Sequence, residues 1–126
     1  MMADISRALL AAVTDKAARA NHLNSLSNCL RDAGDGAGAL AAIREAVETY
    51  RRLAQDNPER FAPDLALSLN NLSLRLSDAG DGAGALAAIR EAVEIRRGLA
   101  QDNPARFASA LETSLAILSR LEPKKF

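Results

Sequence analysis

The sequence predicts an all-α protein built as a stack of helical hairpins, and three observations support this prediction. The stretch Asp32–Glu48, DAGDGAGALAAIREAVE, returns unchanged at Asp78–Glu94, an offset of 46 residues. Apolar residues recur at spacings of three and four, and no segment alternates as a strand would. A period of this size indicates stacked supersecondary units, each of which needs a neighbour to bury its apolar face.

The first repeat is expected at residues 16–57, after an N-terminal helix within residues 1–15. Its first helix, at about Lys16–Ala33, is predicted to end at Gly34, because glycine commonly terminates helices. Its second helix is predicted at about Gly36–Gln55. Thr14 and Asp15 offer a possible cap at this first boundary, but nothing there forbids one continuous helix, so that alternative stays open.

The second repeat is expected at residues 58–103. Asn57 is predicted to cap its first helix, with Pro58 at the first helical position, where no amide hydrogen is missed. Pro63 disfavours helical geometry at the preceding residue. We therefore expect a short turn over residues 58–62 and a regular helix at about Pro63–Ala79.

The remainder of the chain is predicted to hold two more helices. One lies at about Gly82–Gln101 and closes the second repeat. The other, at about Ala105–Leu121, belongs to residues 104–122, which form either a partial third repeat or a capping helix. Residues 123–126 are expected to be a tail, so the single domain, residues 1–126, contains about six helices.

Small and large residues follow one order within each repeat. The second copy reads Leu69-x2-Leu72-Ser73-x2-Leu76, then Ala85-x3-Ile89, and the first copy keeps the order 46 residues earlier. This order resembles the tetratricopeptide repeat, whose pattern is W-x2-L-G-x2-Y followed by A-x3-F. The Leu-Asn-Asn-Leu run at Leu69–Leu72 is similar to the extended repeats of the kinesin light chain type. The resemblance implies an α-solenoid.

The resemblance also implies a non-catalytic scaffold that binds a peptide or partner protein. In such stacks the first helix of each unit lines a concave face, where a peptide can lie. Asparagine amides both donate and accept hydrogen bonds, so they can pair with a peptide backbone whatever its sequence. The expected contacts are Asn24, Asn28, Arg31, Leu67, Asn70, Asn71 and Leu74. Alternatively, the asparagines bridge neighbouring helices through hydrogen bonds.

The terminal helix leaves a second functional class open. If it does not cap the stack, it can pair with another chain through Leu111, Leu115 and Leu118, giving a self-association module and a homodimer. The unchanged seventeen-residue repeat also fits an engineered or recently duplicated protein without a selected ligand.

Composition and motifs exclude other classes. With 16 basic and 16 acidic side chains the formal net charge is zero, so we expect neither nucleic acid nor a membrane surface as a partner. The glycines of Gly34–Gly38 lack the strand and the Lys-Ser/Thr of a phosphate loop, and His22 is the sole histidine. We expect no enzyme, cofactor or metal site. The single cysteine is compatible with a reducing cytoplasm, where we expect the protein.

Overall fold

A computed structural model describes residues 2–123, with side chains from residue 7 onward. Over this range the chain forms five helices and no strand. They are α1 (Met2–Asp32), α2 (Gly36–Asp56), α3 (Pro58–Asp78), α4 (Gly82–Asp102) and α5 (Pro104–Leu121). Each helix packs mainly on its neighbours in sequence. We call α1 with α2 hairpin 1, and α3 with α4 hairpin 2. This arrangement confirms the predicted all-α repeat stack.

The structure has one helix fewer than the expected six, because α1 is continuous. It runs for 31 residues through Thr14 and Asp15, where the sequence offered a possible helix start and left one continuous helix as the alternative. No proline or glycine interrupts this stretch, so nothing forces the backbone out of helical geometry. The other predicted helices appear within a few residues of their expected limits. The predicted tail, apart from Pro123, lies outside the described residues.

The start of α3 also differs from the prediction. The helix begins at Pro58 and contains Pro63, so residues 58–62 are helical and do not form a separate turn. The predicted cap is confirmed, because the Asn57 side chain accepts a hydrogen bond from the Arg60 amide at 3.3 Å. The Phe61 amide donates to the Asn57 carbonyl at 3.1 Å. These bonds secure the first turn, while Pro63 removes only one amide donor near the helix start.

Both hairpins turn through the same local structure. Gly34 ends α1 with φ of +85°, a left-handed conformation that glycine adopts without strain. The Asp35 amide then donates to the Leu30 carbonyl at 2.8 Å, as in a Schellman motif. The Asp35 carboxylate caps α2 by accepting from the Gly38 amide at 2.9 Å, and a Cβ at Gly38 would overlap that carboxylate. Hairpin 2 repeats all of these features 46 residues later.

The core lies between successive helices and is made mostly of aliphatic side chains. The large apolar residues with less than 2% exposure are Ile43, Leu69 and Ile89. Alanines pack at the contacts between helices, and small serines are fully buried beside them. The only buried aromatic pair in the described core is Tyr50 with Phe61, whose ring centroids are 6.4 Å apart. Small residues therefore bring the helices close, and the leucines and isoleucines fill the space between them.

Candidate binding surface

The first helices of successive units, α1, α3 and α5, are joined by buried polar bonds. The Asn24 amide nitrogen donates to the Ser68 hydroxyl at 3.0 Å, which links α1 to α3. The Ser114 hydroxyl donates to the Asn70 amide oxygen, also at 3.0 Å, which links α3 to α5. Each asparagine is only 6% exposed. Asn24 and Asn70 thus have the bridging geometry that the sequence left as the alternative to ligand contact.

The neighbouring positions on α3 are more accessible. Leu67, Asn71 and Leu74 lie at spacings of four and three, so they share one face of the helix. Leu67 is 42% exposed, and the other two are half-buried. The Asn71 amide nitrogen lies 3.5 Å from the Asn24 amide oxygen, so this face of α3 borders α1. The predicted contact residues of α3 therefore form one mixed apolar and amide strip.

The predicted contact residue Asn28 of α1 is exposed and lies beside a buried arginine that the sequence did not single out. Arg75 is 5% exposed, and its Nη1 donates to the Asn28 amide oxygen at 3.4 Å. Its Nε donates to the Asp78 carboxylate at 3.2 Å. The sequence contained a signal for Arg75, because the repeat is broken there: the first repeat has Cys29 at the matching position. Arg75 therefore holds the Asn28 amide against the end of α3.

Arg31, the last of the predicted contacts, lies at the turn end of the same surface. Its guanidinium donates to the Asp32 carboxylate at 2.8 and 3.0 Å. It also borders a cavity of about 340 Å³ between the α1–α2 turn and the end of α3. The other lining residues are Gly36, Ala37, Leu40, Arg75, Asp78 and Ala79. The cavity is mainly apolar inside, so it suits an apolar side chain more than a free anion.

A second buried arginine, besides Arg75, distinguishes the second unit from the first. Arg96, at the position of Tyr50 in hairpin 1, donates from Nη1 to the Ala110 carbonyl at 3.0 Å and to the Ser114 hydroxyl at 2.8 Å. Burial lowers the pKa of its guanidinium. Tyr50 instead donates to the Ala17 carbonyl at 3.2 Å, and burial, together with a nearby carboxylate, raises its pKa to about 12. Arg96 therefore anchors α5, whereas Tyr50 reaches back to α1.

The predicted self-association residues of α5 are only partly accessible. Leu111, Leu115 and Leu118 are all half-buried, and Leu118 packs against the core. On α3 the counterparts of Leu111 and Leu115 are Leu65 and Leu69, which are 6% and 1% exposed, while Leu72, the counterpart of Leu118, is also half-buried. We call the side of α5 that carries these leucines its outer face. It is less covered than the same face of α3.

That outer face of α5 is not uniformly apolar. Ala66 and Ser73 are seven residues apart on one side of α3 and are fully buried. The matching residues on α5 are Glu112 and Ser119, and both are exposed. A carboxylate at the site of a buried alanine indicates a helix whose outer side faces water.

Comparisons with known proteins agree with the repeat geometry. A family model for the tetratricopeptide repeat matches residues 19–59 and 65–105. Each match spans most of one hairpin. No curated protein and no solved structure matches the chain. None of the helices in the described range is long and apolar enough to cross a membrane.

Proposed function

Because the chain belongs to the tetratricopeptide repeat family, whose members mediate protein–protein interactions, we propose that it binds a peptide segment of a partner protein without catalysing a reaction. The proposed site is the α1–α3 surface, made of Asn28, Arg31, Leu67, Asn71 and Leu74. The observation that supports it is the exposure of Leu67 beside the Asn71 amide. An exposed apolar side chain beside an amide that donates and accepts hydrogen bonds is suited to contact both a side chain and the backbone of an extended peptide.

The buried asparagines support this surface from below. Asn24 donates a hydrogen bond to Ser68, and Asn70 accepts one from Ser114. These two bonds set the spacing between α1, α3 and α5. We assign Asn24 and Asn70 this positioning part. The direct contacts with a ligand then fall to the amides of Asn28 and Asn71, which are closer to solvent.

The ligand that fits this surface has a defined chemistry. Leu67 and Leu74 are two helical turns apart and offer apolar contact to one or two aliphatic or aromatic side chains. The amides of Asn28 and Asn71 can each accept from a peptide N–H and donate to a peptide carbonyl. The proposed ligand is therefore an extended segment with apolar anchors, recognised partly through its backbone.

Selection from a random peptide library displayed on phage tests this proposal. The affinities of selected peptides are measured on the wild-type chain and on a Leu67→Ala, Asn71→Ala double variant. The matched control is an Arg90→Ala, Arg97→Ala double variant, because both arginines are exposed on α4. We expect the first variant to lose binding at least about tenfold while the control keeps it. Failure to select any peptide, or equal binding by both variants, would contradict the proposal.

A second candidate function is self-association through α5. The observation that favours it is the half-exposure of Leu111 and Leu115, whose counterparts on α3 are buried. Glu112 on the same side opposes it, because pairing would remove that carboxylate from water. A Leu111→Lys, Leu115→Lys variant that converts a dimer into a folded monomer would favour this second function. If the variant keeps the oligomeric state of the wild-type chain, α5 is a cap.

A further inference from the structure

Each hairpin has a shallow groove near the Asn-Pro end of its second helix. In hairpin 2 the groove has a volume of about 320 Å³. Its floor includes Ile95, Gly98 and Leu99, and its rim carries Glu59, Glu94 and Asp102. No basic side chain lines it. An apolar floor with three carboxylates at its edge suits a surface that brings long cationic side chains.

The groove of hairpin 1 has the opposite charge. It measures about 240 Å³ and has Val13 and Leu53 at its floor. Its rim carries Lys16, Arg19 and Arg52, with Asp56 as the only acid among its lining residues. Arg19 is bonded to Glu45 at 2.9 Å, but the arginine side chain is 70% exposed, so this surface pair is weak and can exchange partners.

The two grooves occupy the same place in the repeat. Six of their lining positions are related by the 46-residue offset, among them Arg52 with Gly98 and Leu53 with Leu99. Equivalent positions in successive repeats lie on the same side of a stack. The basic groove and the acidic groove therefore open side by side on one face of the molecule.

The acidic groove is open at Gly98, where hairpin 1 has Arg52. Gly98 lies inside α4 and is exposed, and a Cβ added there would meet nothing within 4 Å. No contact within the described chain thus requires a glycine, although glycine is a poor helix residue. Arg51, on the adjacent helix α2, donates to both carboxylate oxygens of Glu91 at 2.6 and 3.0 Å, so it is already engaged. The change from Arg52 to Gly98 removes a cation and leaves space for one.

We propose that this face is the interface of an antiparallel homodimer, in which the basic groove of each copy packs on the acidic groove of the other. A two-fold axis that lies between two such faces, perpendicular to the direction in which the hairpins stack, places hairpin 1 of one copy opposite hairpin 2 of its partner. The same axis repeats this contact at the other end of the interface, so both pairs of oppositely charged grooves form together. The result is a closed dimer that does not extend into a filament. A parallel arrangement would place like charges together. The α3 residues that line the acidic groove do not belong to the α1–α3 surface. The dimer therefore leaves that surface free to bind a peptide.

Charge reversal at each groove tests the dimer by size-exclusion chromatography with light scattering. The acid variant is Glu59→Lys with Glu94→Lys, and the base variant is Lys16→Glu with Arg52→Glu. Each variant alone places like charges at both contacts, so its dissociation constant should rise at least about a hundredfold. An equimolar mixture of the two variants should form a heterodimer, because every contact then pairs opposite charges. Glu112→Lys, an exposed change on α5, is the matched control and should leave the dimer intact.

A second variant separates loss of assembly from loss of folding. Gly98→Arg restores the residue of hairpin 1 at a site with free space, so the helix should be at least as stable as in the wild-type chain. The added side chain occupies the groove and brings a cation, so the dimer should be lost while circular dichroism and thermal unfolding show a folded chain. Gly98→Ala is the matched control and should keep the dimer.

Three results would overturn the proposed interface. The first is a wild-type chain that stays monomeric up to about millimolar concentration at low salt, where charge complementarity acts most strongly. The second is a dimer that survives both charge-reversed variants. The third is failure of the mixed variants to associate when each is folded and monomeric. A dimer that is lost on Leu111→Lys, Leu115→Lys and not on groove charge reversal would place the interface on α5 instead.

Discussion

Helices α3 and α5 are equivalent first helices of successive units, yet they differ in what covers them. Leu65 and Leu69 on α3 are 6% and 1% exposed, whereas Leu111 and Leu115 are half-buried. α3 packs on α2 and on α4, but within the described chain α5 packs mainly on α4. The same helical register therefore contributes different amounts of buried apolar area, and the sequence of α5 has changed accordingly, with Glu112 at the place of Ala66.

The difference shows how the neighbours of a helix decide which of its sides can be apolar. An inner helix can be apolar on two sides, because a neighbour removes each side from water. A helix that has a neighbour mainly on one side keeps only that side apolar, and additional bonds can hold it there. In this chain Arg96 supplies such bonds, since it reaches from α4 to the Ala110 carbonyl and the Ser114 hydroxyl.

The largest expected effect comes from placing the α5 residue into α3. Ala66→Glu buries a carboxylate at a fully buried position without a partner, so we expect a loss of more than about 4 kcal/mol in the free energy of unfolding. The reverse change, Glu112→Ala, affects an exposed residue and should stay within roughly 0.5 kcal/mol. Urea unfolding followed by circular dichroism measures both. Similar effects of the two changes would contradict the view that the Glu112 side of α5 faces water.

Truncation of equivalent leucines gives the next effect. Leu69→Ala should lower the free energy of unfolding by roughly 2–5 kcal/mol, because it removes a fully buried side chain and leaves a cavity. Leu115→Ala should cost about half as much or less, since the side chain is already partly in water. Urea unfolding of both variants under one condition gives the ratio. Equal losses would mean that α5 is covered in solution, as in a dimer through that helix.

Removal of the Arg96 anchor should have a smaller and more local effect. Arg96→Ala leaves Ser114 without one of its two partners, and we expect a loss of roughly 1–3 kcal/mol. Hydrogen exchange should rise in α5 before it rises in α3, because the lost bonds join α4 to α5. The exposed neighbour Arg97 provides the control, and Arg97→Ala should change neither stability nor exchange. Uniform exchange across all helices would argue against an anchoring role.

The sequence predicted the hairpins well because their signals are local. Gly34 and the cap at Asn57 act within a few residues of each helix end, so one repeat is enough to read them. The sequence left open whether a helix starts at Thr14 and Asp15, because a cap residue permits a helix start without requiring one, and in the structure α1 is continuous. Local chemistry thus determines where helices end more reliably than where they continue.

The candidate site was harder to predict because it depends on contacts between helices. The sequence identified Asn24 and Asn70 as special, but their bridging geometry depends on how α1, α3 and α5 pack. The partners Ser68 and Ser114 each lie 44 residues after their asparagine, and this repeated spacing was a usable signal. Arg96 departs from the repeat as Arg75 does, but this departure did not indicate its function, because its partners lie on the next helix.

The last and smallest effect at neutral pH concerns Tyr50, which holds α1 through the Ala17 carbonyl from the position at which Arg96 holds α5. The Tyr50 pKa is raised from 10.0 to about 12, so the folded state keeps the proton more tightly than the unfolded state does. The resulting stability is fully present below about pH 10 and is lost as the pH rises toward about 12. Urea unfolding across this range should therefore show a steeper loss in the wild-type chain than in Tyr50→Phe. Tyr50 is the only tyrosine in the chain, so the other groups titrate alike in both proteins and cancel in the difference. Parallel pH profiles would mean that Tyr50 is not buried in solution and does not hold α1 in the way that Arg96 holds α5.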